Sequence, residues 1–281
     1  MNTTFTAFAV LASLLLIFTK CESAVDPMLL ENDCALTSSS NEVGPWTALL
    51  HENDKVFCAG TLITKRFILT AAQCVRVNTT VLVRLGEFGR YYNDFPEDHK
   101  VELSLRYRFF DSNSDGNDIA LLKLTKDVVF KNYIKPVCIN RNPNQRPLGE
   151  YFVGYAWTDN RDEYYTANLT TITIGMYHEV RRQCDQFDIY TQFCAGPVNK
   201  QESCDGMAGS ALIKLMEDSS QPSRAFQFGI STSDAMDCQG TQGYTNVTKF
   251  YSWIQDNVIL FERSGYKPKK SFIASDYIKV Y

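Results

Sequence analysis

Short apolar runs separated by polar or glycine-containing breaks recur from about residue 46 to residue 258 of this chain. Residues 48–51, 56–63, 67–70 and 81–85 begin the series, and 119–124 closes it in the first half. Runs this brief, bounded by turn formers, predict strands, and a long succession of them predicts an all-β sandwich or barrel. A polar connector containing Pro143 and Pro147 follows, and a second set of strands begins near Tyr151. The last regular stretch has a different period. Val247, Tyr251, Ile254 and Val258 recur at helical spacing beside Trp253, which predicts a short amphipathic helix packing its apolar stripe on the body. Residues 261–281 show no strong period and carry Lys267, Lys269 and Lys270. They read as a loosely held terminus, with a docking segment as the alternative.

The amino terminus alters the picture. Residues 5–18 are apolar but too few to span a bilayer, which takes about 20. They predict a signal peptide over residues 1–23, cut near Ser23 or Ala24, and hence a secreted, extracellular protein. No later stretch predicts a membrane span. Of nine cysteines, Cys21 falls inside that leader. The other eight form an even set, as a disulfide framework in an oxidising compartment requires. No Cys-x-x-Cys pair occurs, which weighs against a zinc site on the cysteines, and no cofactor is expected. A net charge of −4 and 44% apolar content describe an ordinary globular chain. They offer no basic stripe for nucleic acid. Sequons at Asn78, Asn168 and Asn246 are candidate glycosylation sites.

Two motifs carry the chemistry. Ser203-Cys204-Asp205-Gly206-Met207-Ala208-Gly209-Ser210 resembles the nucleophile loop of chymotrypsin-like serine proteases, and Leu69-Thr70-Ala71-Ala72-Gln73-Cys74 resembles the segment bearing their histidine. Asn117-Asp118-Ile119-Ala120-Leu121-Leu122, Ile134-Lys135-Pro136-Val137-Cys138, Gln192-Phe193-Cys194-Ala195-Gly196 and Gly243-Tyr244-Thr245-Asn246-Val247 match further landmarks in order. The likeness covers nearly all of the chain beyond the leader, and its style resembles insect secreted members. It implies an all-β fold of two six-stranded antiparallel β-barrels with a C-terminal helix over residues 46–260, preceded by a disulfide-tethered segment, 24–45. It implies the bridges Cys34–Cys138, Cys58–Cys74, Cys184–Cys194 and Cys204–Cys238.

The resemblance also shows what has changed. In that family a serine attacks the carbonyl, a histidine takes and returns its proton, and an aspartate orients the histidine. Here Ala208 stands at the serine position and Gln73 at the histidine position; only Asp118 is retained. An amide has no useful basicity, and a methyl group has no lone pair. Met207 replaces the aspartate that receives a new amino terminus on activation, and no activation-cleavage signal lies between Cys34 and Trp46. Glu202 falls at the specificity-pocket base, while Asp234 and Gln242 replace glycines of the pocket walls and obstruct it. Ser210 lies on a turn aimed elsewhere. His51, His99 and His178 lie away from the motifs and read as solvent-facing or satisfied polar residues. Glu87 with Asp94 or Glu97 reads as an acidic surface loop in preference to a calcium loop.

The resulting expectation is a non-catalytic homologue that binds extracellular proteins: active proteases, their precursors or their substrates. The resemblance implies a regulator or cofactor of extracellular proteolysis, for instance in innate defence. An endopeptidase with an unorthodox site and a binder of carbohydrate or microbial surfaces are the alternatives.

Overall fold

The computed structural model describes residues 30–32, 34–35, 44–53, 55–76, 79–88, 95–114, 116–139, 151–158, 168–176, 184, 188–199, 206–218, 221–232, 241–263 and 277–278. The first barrel is built from β1 (Thr47–Glu52), β2 (Lys55–Leu62), β3 (Phe67–Thr70), β4 (Leu82–Leu85), β5 (Glu97–Arg106) and β6 (Ala120–Leu124). These run in the order β5-β4-β1-β2-β3-β6, and β5 pairs with β6 to close the ring. The second barrel comprises β7 (Tyr151–Thr158), β8 (Asn168–Met176), β9 (Gln192–Pro197), β10 (Ala211–Asp218), β11 (Gln221–Ser231) and β12 (Gln242–Asn246). It closes in the order β10-β11-β12-β9-β8-β7. Closure pairs the edges that an open sheet would leave exposed, except where β5 runs past β4.

The apolar runs become strands because a barrel wall has an inside to fill. Leu62, Ile68, Val83 and Leu85 share one face and pack the first core, with Phe67 and Leu69 buried on the opposite face of β3, and Phe152, Ile174, Leu212, Phe228 and Tyr244 pack the second. Gly60 is required where β2 crosses β3, since a Cβ there would sit 2.7 Å from the Ile68 Cγ2. β5 is a strand that the hydrophobic pattern does not predict. Its first half, Glu97-Asp98-His99-Lys100, is polar, and the buried residues Val101, Leu103 and Leu105 come only in its second half. Barrel closure, through pairing with β4 and then β6, makes the whole segment extended.

Helix α1 (Tyr251–Arg263) follows a 3₁₀ turn at Val247–Phe250. Its predicted stripe of Val247, Tyr251, Ile254 and Val258 is buried, and so is Phe261. The helix therefore runs past residue 260, the predicted end of the domain. It ties the second barrel to the first: Thr64 Oγ1 donates to Glu262 Oε1 at 2.9 Å, and Tyr107 packs edge-on against Phe250 and Trp253. Among the described residues no helix is long and apolar enough to cross a membrane.

Three bridges join the cysteines that the resemblance paired: Cys34–Cys138, Cys58–Cys74 and Cys184–Cys194. Cys204 and Cys238 lie outside the described residues. The first bridge is reinforced by backbone bonds from Ala35 N to the Pro136 carbonyl and from Ala225 N to the Ala35 carbonyl. Arg224 also donates to the carbonyls of Asn32 and Cys34. The amino-terminal segment is thus sewn to β11. Of the tail beyond α1, residues 277–278 form a final strand, β13 (Tyr277–Ile278), antiparallel to β5, and residues 264–276 and 279–281 lie outside the described residues.

Candidate functional site

Gln73 lies in a 3₁₀ turn, Ala72–Cys74, that follows β3 and is anchored by the Cys58–Cys74 bridge. Asp118 precedes β6 and is 3% exposed. It is placed by Asn117, whose φ of 62° turns the chain and whose N–H donates to Thr191 Oγ1 at 3.2 Å. The Gln73 backbone N–H donates to Asp118 Oδ1 at 3.0 Å, and its side-chain Nε2 donates to Asp118 Oδ2 at 2.6 Å. The same Nε2 donates to the carbonyl of Thr232, at the end of β11. Both amide protons are thereby committed, one to each barrel. A second cross-barrel bond runs from Thr245 Oγ1 to the Asp118 carbonyl at 2.9 Å. The retained aspartate is fully engaged by hydrogen bonds within the motif turns.

Ala208 is wholly buried, in the turn from Met207 to Ser210. The Ser210 N–H closes that turn on the Met207 carbonyl at 3.1 Å, and Gly209 supplies the left-handed residue, φ 86°. This is the geometry of a type II turn. A Cβ on Gly209 would lie 2.0 Å from the Ala59 carbonyl oxygen. The turn abuts the first barrel, where Ala59 N donates to the Ala208 carbonyl at 2.9 Å, while Gly209 N donates to Ser231 O at 2.8 Å. The turn that would carry a nucleophile is formed, and the side chain it holds is the buried methyl group of Ala208. Met207, half-buried beside it, offers a thioether where the resemblance calls for a carboxylate.

Ser210 points into a different environment. It lines a cavity of about 10 Å³ with Thr47, Thr61 and Tyr155 between the barrels, a volume fit for one water. Burial pushes the Tyr155 phenol well above its usual range, so it stays neutral. Ser210 and Gln73 are not hydrogen-bonded to one another among the described residues. Of the pocket positions, Gln242 opens β12 and its Nε2 lies 3.3 Å from Ser231 Oγ. Glu202 and Asp234 lie outside the described residues, as do His178, Asp94 and Asn78.

Of the two expectations for His51, solvent-facing or satisfied polar, the structure selects the second. His51 is 0% exposed on β1, with Nε2 3.1 Å from Asp98 Oδ1, while Arg84 grips both oxygens of that carboxylate at 2.8 Å. Arg84 beside it holds the Asp98 carboxyl below its usual value. Lys131 pairs with Glu97, and His99 Nε2 lies 3.4 Å from the other oxygen of that carboxylate. Among the described residues no cluster of acidic, histidine or cysteine side chains is arranged to hold a metal. Asn168 opens β8. Asn246 ends β12, where its Oδ1 accepts from the Thr248 N–H and hydroxyl and caps the next turn. The residues that sequence reasoning missed are Thr232, Thr245 and Thr191, which place the Gln73–Asp118 pair from the second barrel. Threonines in strands are common, and nothing in their local sequence marks the role.

Two antiparallel barrels that meet at these turns define the chymotrypsin-like class. The chain belongs to the trypsin family, with residues 36–254 matching the family described as Trypsin. It is similar to phenoloxidase-activating factor 1 of Holotrichia diomphalia, 29% identical over 278 residues, 83% of this chain and 74% of the relative. It is similar also to CLIP domain-containing serine protease B15 of Anopheles gambiae, 30% identical with 78% of this chain and 67% of the relative covered. Serine protease grass of Drosophila melanogaster is 29% identical, with coverage of 76% and 64%.

Proposed function

We propose that this protein is a catalytically inactive, secreted member of the trypsin family that acts by binding other proteins. The observation that carries the reading is the commitment of Gln73 Nε2 to Asp118 and Thr232, together with the methyl group of Ala208 in the turn from Met207 to Ser210. A proton acceptor and a nucleophile are both needed for acyl transfer by this route. Removing members of a triad leaves only about 10³–10⁴-fold catalysis over water. Met207 supports the same conclusion, because a thioether cannot receive the ammonium that orders the oxyanion hole in the family.

The partners are extracellular proteases, their precursors or their substrates, and the role is that of a regulator or cofactor of proteolysis. Relatives with names such as phenoloxidase-activating factor and CLIP domain-containing serine protease support a place beside such cascades. The bridge-held framework and the apolar leader at residues 5–18 support secretion. Because the relatives carry serine protease names, the competing reading is an endopeptidase with an unorthodox site. A fluorophosphonate probe separates the two. Purified protein that stays unlabelled and cleaves no peptide ester, yet crosslinks to a protease or protease precursor in its native fluid, fits the binding role. Stoichiometric labelling with turnover above contaminant controls would refute it.

A further inference from the structure

The cavity between the barrels is lined by Thr47 and Thr61 from the first barrel and by Tyr155 and Ser210 from the second. Thr47 opens β1, and Thr61 sits directly opposite it on β2 in the antiparallel register. Residues opposite one another across an antiparallel pair present their side chains close together on one face. Thr61 is 0% exposed, and the hydroxyl oxygen of Thr47 is buried as well. Among the described residues neither Oγ1 has a hydrogen-bond partner.

Two adjoining buried hydroxyls in that condition are costly, because each has given up solvent and received no bond in exchange. Cavities that stay dry are lined by apolar groups, whereas a polar cavity large enough for one water holds it through two to four hydrogen bonds. At about 10 Å³ this cavity takes one molecule of that size and nothing larger. Its lining includes no carboxylate, the ligand on which a divalent cation depends. Tyr155 adds no charge either, since burial keeps its phenol neutral.

We propose that this cavity is a structural water site, in which a single water bridges the hydroxyls of Thr47, Thr61 and Ser210. Ser210 is 7% exposed and ends the turn that holds Ala208. The water therefore fastens that turn to β1 and β2. A direct tie lies beside it: Ala59 N donates to the Ala208 carbonyl at 2.9 Å, and the Ala59 carbonyl accepts from Thr70 Oγ1 at 2.6 Å. Thr61 is two residues beyond Ala59 on β2, and Ser210 is two residues beyond Ala208 in the turn. The bridge thus repeats the direct tie at the same offset on both segments, with a water where the backbones no longer meet. A bridging water gives nearly the enthalpy of a direct hydrogen bond. The site lies at the seam behind the turn and does not depend on whether the cleft is catalytic.

The test has two parts, both on the full secreted chain. A crystal structure refined with its solvent is expected to show one ordered water about 2.7–3.0 Å from the hydroxyl oxygens of Thr47 and Thr61. Guanidinium unfolding under non-reducing conditions then compares the wild type with Thr61→Val, which keeps the branched shape and removes the hydroxyl. Loss of a partner from a bound water is expected to raise the unfolding equilibrium constant about tenfold. A dry cavity gives the opposite sign, because the substitution then removes an unpaired buried group. If Thr61→Val does not fold, Thr47→Val supplies the same comparison, and the wild-type density needs no variant. A cavity without water density, or stability unchanged or increased by the substitution, overturns the proposal.

Discussion

Replacing Gln73 with alanine removes an amide nitrogen that bonds to both barrels. The lost contacts are a charge-assisted bond to Asp118 Oδ2 at 2.6 Å and a neutral bond to the Thr232 carbonyl. A hydrogen bond to a charged group contributes about 1.5–3 kcal/mol and a neutral one about 1 kcal/mol. Asp118 keeps the Gln73 backbone N–H at 3.0 Å, and the Gln73 side chain lies near solvent, so water recovers part of the loss. The expected destabilisation is about 2 kcal/mol, or roughly 4–8 °C in melting temperature for a domain of this size. Guanidinium unfolding under non-reducing conditions measures it, with an unchanged slope as the sign that the native state is preserved. A double-mutant cycle with Asp118→Asn should return a coupling of at least about 1 kcal/mol. A loss below about 0.5 kcal/mol, with no coupling, would refute the idea that the triad remnant is a clasp between the barrels.

Three further outcomes are expected. Restoring Gln73→His and Ala208→Ser together should give little peptide-ester turnover, because Met207 leaves the oxyanion hole unordered; turnover near that of an active relative would show the activation switch to be dispensable. Arg84 lowers the pKa of Asp98 from its ordinary 3.8, so this carboxylate stabilises the fold above that pH and the contribution fades as pH falls through the lowered folded value. Asp98→Asn should accordingly reduce the melting temperature at pH 7, and the gap to wild type should close below about pH 4; a gap independent of pH would remove the ion pair from the account. Replacing both Cys34 and Cys138 with serine opens a loop spanning 104 residues, and chain entropy assigns such a bridge on the order of 4–5 kcal/mol. Denaturant midpoints of the oxidised wild type and the double variant give the comparison, and equal midpoints would assign the stability of the amino-terminal segment to its backbone bonds alone.

Much of the scaffold was legible because barrel strands bury side chains locally. Phe67-Ile68-Leu69-Thr70 is wholly buried, and its apolar run stands out in the sequence. The stripe of α1 was equally plain, since its four predicted residues recur at the helical period and all are buried. β5 was not legible. Half of it is charged, and its extended conformation comes from pairing with β4 on one edge and β6 on the other. For His51 the choice between solvent-facing and satisfied polar was not legible for a related reason: its partner Asp98, held by Arg84, arrives from β5 and β4.

The sequence by itself determined the substitutions at residues 73, 207 and 208, the even set of cysteines and the short apolar runs that make strands, because side-chain identity and local pattern need no partner. Tertiary structure alone decided that one amide nitrogen spans both barrels, reaching Asp118 at a separation of 45 residues and Thr232 at 159. It likewise decided that two residues near the carboxy terminus complete the edge of β5. Both follow from barrel closure, which brings distant backbone edges and turns within hydrogen-bonding distance, and no local pattern encodes a distance between residues so far apart in the chain.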